Sequence, residues 1–240
     1  MRFGDRPVSC ESHVAGIALT DLRFYVHDVR LLAEGGAETA VKLQPEPLWQ
    51  SEEVALLDFE SGAGNCRNGT QQVNILIRGK AGAGNYTGLR FRVGVPESLN
   101  HADPLLADVP LAYSFMHWHW RTGYKFLRGG VATADDGFWL HLGSSRCEGT
   151  ATDVKGCRSA NRPEIELPSF VPGKHVVVID LRELVDGIDL ENGIPSDCSS
   201  GPAEVECEQP FAALGIDFAS GTSDGNASVF RVGTHVGTRE

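Results

Sequence analysis

Apolar and polar positions alternate with a period of two along much of the chain, in short runs punctuated by Gly, Pro, Asn and Asp. That period belongs to β-strands, whose successive side chains point to opposite faces. The runs predict strands over Asp21–Leu32, Val54–Glu60, Gln72–Arg78, Gly88–Val95, Ala112–Trp120, Gly123–Arg128, Gly137–Leu142, Glu164–Leu167, Lys174–Ile179 and Ser228–Val232. So many short strands in 240 residues imply an all-β fold, a sandwich or barrel-like arrangement. Helical signal is confined to Leu181–Asp186 and Pro210–Gly215, a turn or two each. Neither a fixed repeat nor a low-complexity linker divides the chain, so residues 1–240 are expected to form a single domain. The Gly, Pro, Ser and Asp-rich segment Asp186–Glu208 reads as a long loop.

Charge and cysteines narrow the classes. Acidic residues outnumber basic ones by 32 to 21, a net charge of −11 that disfavours nucleic acid and anionic membranes as partners. No run of 18 apolar residues is present to span a bilayer. Cys10, Cys66, Cys147, Cys157, Cys198 and Cys207 form no C-x-x-C pair, which argues against structural zinc. An even number with two short loops suits disulfides made in an oxidising compartment, periplasmic or extracellular. Cys147 with Cys157 and Cys198 with Cys207 are favoured, which leaves Cys10 for Cys66, although six cysteines permit 15 connectivities. The start Met1–Asp5 has no apolar leader region, so an export signal is expected to lie outside these residues. Other motifs fail on spacing. Gly79, Gly82, Gly84 and Gly88 do not match a phosphate loop and read as a hairpin turn, and no G-x-S-x-G elbow surrounds Ser144. The triplets at Asn68, Asn85 and Asn226 mark exposed turns.

The unusual chemistry lies in Met116-His117-Trp118-His119-Trp120, which holds the sole internal methionine, two of eight histidines and two of four tryptophans. Strand alternation places Met116, Trp118 and Trp120 on one face and the two histidines on the other. A thioether near imidazoles suits Cu(I), whereas Mg²⁺ or Ca²⁺ would call for oxygen ligands. Periodicity alone reads the same residues more simply, as a packed core face with two solvated histidines opposite.

Several ordered motifs then change the weighting. Asp21-Leu-Arg-Phe-Tyr-Val-His-Asp-Val-Arg-Leu31, Leu56-Leu-Asp-Phe-Glu60 through Cys66, and Gly88-Leu-Arg-Phe-Arg-Val-Gly-Val-Pro96 with Leu99-Asn-His101 come first. Met116-x-Trp-x-Trp120 with Gly123-Tyr-Lys-Phe126, His141-Leu-Gly-Ser144 before Cys147, and Cys157 with Asn161-Arg162 follow. From about Asp21 to Phe230 the chain resembles the MbnP-like proteins, also called four-Cys metallo-mystery pair proteins. The resemblance implies an exported β-rich protein with one Cu(I) site, paired with a dihaem partner of the cytochrome c peroxidase and MauG type. It implies that this partner oxidises the first Trp of W-x-W, here Trp118, to kynurenine, with Trp120 as the second Trp. The ligands it implies are a methionine, a histidine and the kynurenine, hence Met116, Trp118 and either His101 or His27. His141 also lies in a matched motif and reads equally as a strand residue beside Trp139. His117 and His119 depart from the small or aromatic residues expected around these tryptophans and leave room for an additional or altered metal site. With no C-x-x-C-H haem motif present, the oxidant must come from outside, and the protein is a substrate rather than a catalyst.

Two other classes compete. A secreted β-sandwich could bind carbohydrate or peptide on a platform of Trp118, Trp120 and Trp139. A metal-dependent hydrolase could use His27, Asp28, His101 and Asp103, but the pairs are too scattered to define a ligand triad.

Overall fold

In the computed structural model the described residues are 1–4, 10, 13–14, 17–66, 69–119, 122–133, 137–150, 153–188 and 197–234. Trp120, Asn68 and His235 lie outside them, as does the side chain of His13. The all-β expectation holds. The organising element is β1, Ile17–Ala33, a strand of 17 residues. It is long enough to pair with two partners end to end along each edge. On one edge β2 (Val54–Asp58) pairs from Arg23 to His27, and the short strand Glu38–Ala40 pairs beyond it. On the other edge β3 (Tyr86–Val93) pairs with the second half of β1, and β6 (Leu127–Ala132) with the first. β7 (Gly137–Leu142) continues the sheet beyond β6, and β10 (Glu164–Pro168) beyond β3.

Alternation along β1 gives its two faces different chemistry. Leu22, Phe24 and Val26 point into an aromatic layer shared with Phe3, Phe59, Phe91 and Phe230, whose neighbouring ring centroids lie 5.5–6.5 Å apart. Phe230 opens β12 (Phe230–Thr234), which pairs with β11 (His175–Ile179) to form a second layer over that face. This gives the sandwich contact expected of two packed sheets. The opposite face presents Asp21, Arg23, Tyr25 and His27, and these are buried too. The segment from α1 (Glu97–Asn100) to β6 covers them: Tyr25 donates its hydroxyl to the Pro110 carbonyl at 3.0 Å and meets the Tyr124 ring edge-on at 6.0 Å.

Several expected elements differ. Gln72–Arg78 makes only single bridges, Asn74 to Asp58 and Leu76 to Arg2, the latter flanked by hydrogen bonds from Phe3 to Ile75 and from Ile77 to Met1. The glycine-rich stretch after it turns no hairpin: Gly79–Lys80 pairs with Lys42–Leu43. Ala112–Trp120 is interrupted by a 3₁₀ turn, Ser114–Met116, before β4 (His117–His119) begins. Gly123–Arg128 splits between β5 (Gly123–Tyr124), which pairs with β4, and β6. The hairpin of β8 (Ser145–Thr150) and β9 (Asp153–Ser159) escapes the hydrophobic pattern because few of its residues are apolar. Cys147 and Cys157 oppose one another across it and are joined. The other disulfides are Cys10–Cys66 and Cys198–Cys207. The second helical signal becomes α2, Glu208–Ala213, immediately after Cys207. Among the described residues no helix is long and apolar enough to cross a membrane.

Candidate metal centre

The Met–His–Trp segment is held from behind by a buried charge network. Arg23 lies among Asp21, Asp58 and Glu60, with its Nε 3.0 Å from Glu60, 3.3 Å from Asp21 and 3.5 Å from Asp58. Arg128 pairs with Asp21 at 2.7 Å, and Thr70 donates to Asp58 at 3.0 Å. Burial pushes Asp21 up to about 6 and Asp58 up to about 7, against the pull of Arg23 on both. The network reaches the segment through Phe115, whose carbonyl accepts from Arg128 Nη1 at 3.2 Å and Lys125 Nζ at 3.3 Å. The Arg23 guanidinium also stacks over the Phe115 ring, 4.9 Å from its centroid. These contacts fix the backbone immediately before Met116.

Met116 itself is fully buried, and its carbonyl accepts from the Lys125 amide at 2.7 Å. His119 is exposed, whereas His117 is half-buried with its ring edge-on to Tyr124 at 5.0 Å. The expectation of two solvated histidines is therefore met by only one of them. His117 Nε2 is buried without a hydrogen-bond partner, and burial lowers its affinity for a proton.

Trp118 is half-buried. Its ring meets His141 edge-on at 5.8 Å, Lys125 Nζ lies 5.8 Å from its centroid, and Gly143 packs beneath it. His141 lies between Trp118 and Trp139, the latter 6.2 Å away. Its Nε2 is also buried and unpartnered, and burial, aided by Lys125 and Arg128, lowers it to about 4. Imidazole is therefore neutral here at physiological pH. The loop fastened by Cys198–Cys207 is laid along β7 around this residue. The His141 amide donates to the Cys198 carbonyl at 2.8 Å, and Ser200 Oγ donates to the His141 carbonyl at 2.9 Å.

The two histidines nominated from the sequence occupy other surroundings. His101 Nε2 lies 3.2 Å from Asn100 Nδ2, 3.4 Å from Cys157 Sγ and 3.8 Å from Glu97. Asn100 links it to the Trp strand hairpin, since Asn100 Oδ1 accepts from the Tyr124 amide at 3.1 Å. His27 is bound through Nδ1 to the Gly94 carbonyl at 2.9 Å and lines a groove with Arg92 and Arg162. Sequence reasoning missed Asn100 and Lys125 as supports, and it weighed His141 equally as a member of a matched motif and as a strand residue without nominating it as a ligand. The signal available was the invariant two-residue step of β7, which puts Trp139 and His141 on one face.

Among the described residues, three places bring at least three His, Cys, Asp or Glu donor atoms within 4.8 Å of one another. Each contains one of the disulfides, and a disulfide sulfur carries no thiolate charge, so none is a ready metal site. The donor that meets Trp118 is of another kind, the neutral imidazole of His141, and Met116 with its thioether lies two positions before Trp118 in the chain. They fit a soft ion, and the orphaned Nε2 of His141 is the buried polar atom such an ion would satisfy.

Gly143 is a test of this packing. A Cβ there would lie 2.8 Å from Trp118 Cζ3 and 2.9 Å from the Tyr124 carbonyl. Gly143→Ala is expected to displace the indole, at a cost of about 1–3 kcal/mol. Tryptophan fluorescence and thermal unfolding would register the change.

No curated protein matches the chain. One solved structure, MbnP from Methylosinus trichosporium, is similar with a TM-score of 0.80 and 26% identity, covering 97% of this chain and 96% of that one. The family model described as MbnP matches residues 1–200. With the match extending over most of its length, the chain belongs to the MbnP family.

Proposed function

We propose that this protein is an exported Cu(I)-binding protein of copper homeostasis, whose metal site is completed when a dihaem partner of the MauG type oxidises Trp118 to kynurenine. The observation that carries this reading is the meeting of Trp118 with His141 and its unpartnered Nε2, on the strand that follows buried Met116. Family membership supports it. Met116, the oxidised Trp118 and His141 would hold the ion; His101 and His27, nominated from the sequence, have their own partners at Asn100 and Gly94. That set of thioether, aniline and imidazole donors would favour the soft, reduced Cu(I) ion over Cu(II).

The chain's own residues prepare the modification. An indole has no lone pair available to a metal, because its nitrogen lone pair belongs to the aromatic system and its N–H only donates. Opening the pyrrole ring leaves an aniline nitrogen and a ketone, both able to bind. The half-buried Trp118 keeps one side towards solvent, and Lys125 and His141 fix its plane. Co-expression with an active dihaem partner is expected to convert Trp118 alone, with tandem mass spectrometry of the peptide containing Met116 and Lys125 as the readout. Oxidation at Trp49 or Trp139, or none at all, would sink the assignment.

A further inference from the structure

The three disulfides differ in what surrounds their sulfurs. Cys198 and Cys207 are fully buried, and Cys10 and Cys66 are 4% and 0% exposed. Cys147 is 4% exposed as well, but Cys157, which faces it across the β8–β9 hairpin, is only half-buried. His101 Nε2 stands 3.4 Å from the Cys157 sulfur. Among the described residues, neither of the other two disulfides has a histidine within comparable reach. Thiol–disulfide exchange depends on access to a sulfur and on a means of making its thiolate, and this disulfide has both. β8 and β9 also form a sheet of their own, apart from the one built on β1, so the bond can open without parting the core strands.

The neighbours of His101 set its role. Asn100 Oδ1 accepts from the Tyr124 amide at 3.1 Å, which orients the side-chain amide and leaves Nδ2 as the group 3.2 Å from His101 Nε2. A donor therefore faces Nε2, and Nε2 presents a lone pair on that side. The same lone pair can take the proton of a Cys157 thiol, with Glu97, 3.8 Å from Nε2, to balance the imidazolium that results.

We infer that Cys147–Cys157 is a site of thiol–disulfide exchange with a dithiol, in which Cys157 is the exchanging sulfur and His101 is its base. An incoming thiolate bonds to Cys157 Sγ; the bond to Cys147 breaks, and its electron pair leaves on Cys147, which takes up a proton. The second thiol of the reagent then attacks the reagent's own bonded sulfur, which closes the reagent's disulfide and releases Cys157, in turn protonated. The dithiol loses two electrons and two protons, and the protein gains both. In the return direction Cys157 gives its proton to His101 and attacks the disulfide of an oxidant, and Cys147 resolves the mixed disulfide.

The test uses the folded protein with Trp118 intact and no copper, so its outcome is independent of the proposed copper site. With dithiothreitol as the dithiol, differential alkylation and peptide mapping should find Cys147–Cys157 opening roughly tenfold or more faster than Cys10–Cys66 and Cys198–Cys207. With glutathione, the trapped mixed disulfide should sit on Cys157 and leave Cys147 open to alkylation. In His101→Ala, oxidised glutathione should re-form the reduced bond roughly tenfold more slowly. Simultaneous opening of all three disulfides, a mixed disulfide on Cys147, or an unaltered rate in folded His101→Ala would overturn the inference. Should His101→Ala fail to fold, the two measurements on the unaltered protein decide it.

Discussion

Replacing Arg23 with methionine is expected to destabilise the fold by about 3–5 kcal/mol at neutral pH, the range found when one partner of a buried ion pair is removed. Methionine fills a similar volume, so the loss reports charge more than packing. Arg23 is 1% exposed and its guanidinium is the cation closest to Asp21, Asp58 and Glu60 together; Arg128 reaches Asp21. Without it, three carboxylates share a dry pocket with one guanidinium. The effect should depend on pH in a defined direction. Asp21 and Asp58 hold protons more tightly folded than unfolded, about 6 and about 7 against the ordinary 3.8. Their contribution is therefore fully present below the ordinary carboxylate range and is lost as pH rises through those values. Removing Arg23 raises both further, so the deficit of the variant should grow between pH 5 and pH 8. Urea unfolding at the two pH values measures it. A deficit that is small and equal at both would mean that water or a counter-ion replaces the guanidinium.

The second large effect concerns copper. In protein carrying oxidised Trp118, Met116→Ile is expected to reduce Cu(I) affinity sharply while costing about 1.5 kcal/mol or less of stability, since isoleucine keeps an apolar side chain of similar size. Met116 is fully buried, so any change in copper binding cannot come from a lost surface charge. Competition against a chromophoric Cu(I) chelator gives the affinity. Unchanged stoichiometry and affinity in the folded variant would return Met116 to the role of an ordinary core residue and withdraw the thioether from the site.

The period-two pattern made the strands legible wherever one face was apolar: β7 runs Gly137–Leu142 as expected, and β1 and β3 contain the expected spans almost entirely. Alternation also sorted Leu22, Phe24 and Val26 from Asp21, Arg23 and His27. What it could not convey is that the polar face would be covered as well, since a buried charge network looks like a solvated face until its partners at Asp58, Glu60 and Arg128 are brought together. The β8–β9 hairpin was illegible for the opposite reason, being secured by Cys147–Cys157 with little apolar burial. Met116 and Trp118 stood out by rarity. His141 did not, because its significance is a contact with a ring 23 positions away.

The two unlike faces of β1 make its alignment unforgiving. A slip of one residue against β2, β3 and β6 would carry every side chain to the opposite face. Asp21, Arg23 and His27 would enter the layer of Phe3, Phe91 and Phe230, with no counter-charge to meet them, while Leu22 and Phe24 would sit where Glu60 and Arg128 now find partners. A wholly apolar strand of this length would tolerate such a shift far better. The buried ions thus act as a key for the alignment of the longest strand, and through Phe115 the same key sets the position of Met116.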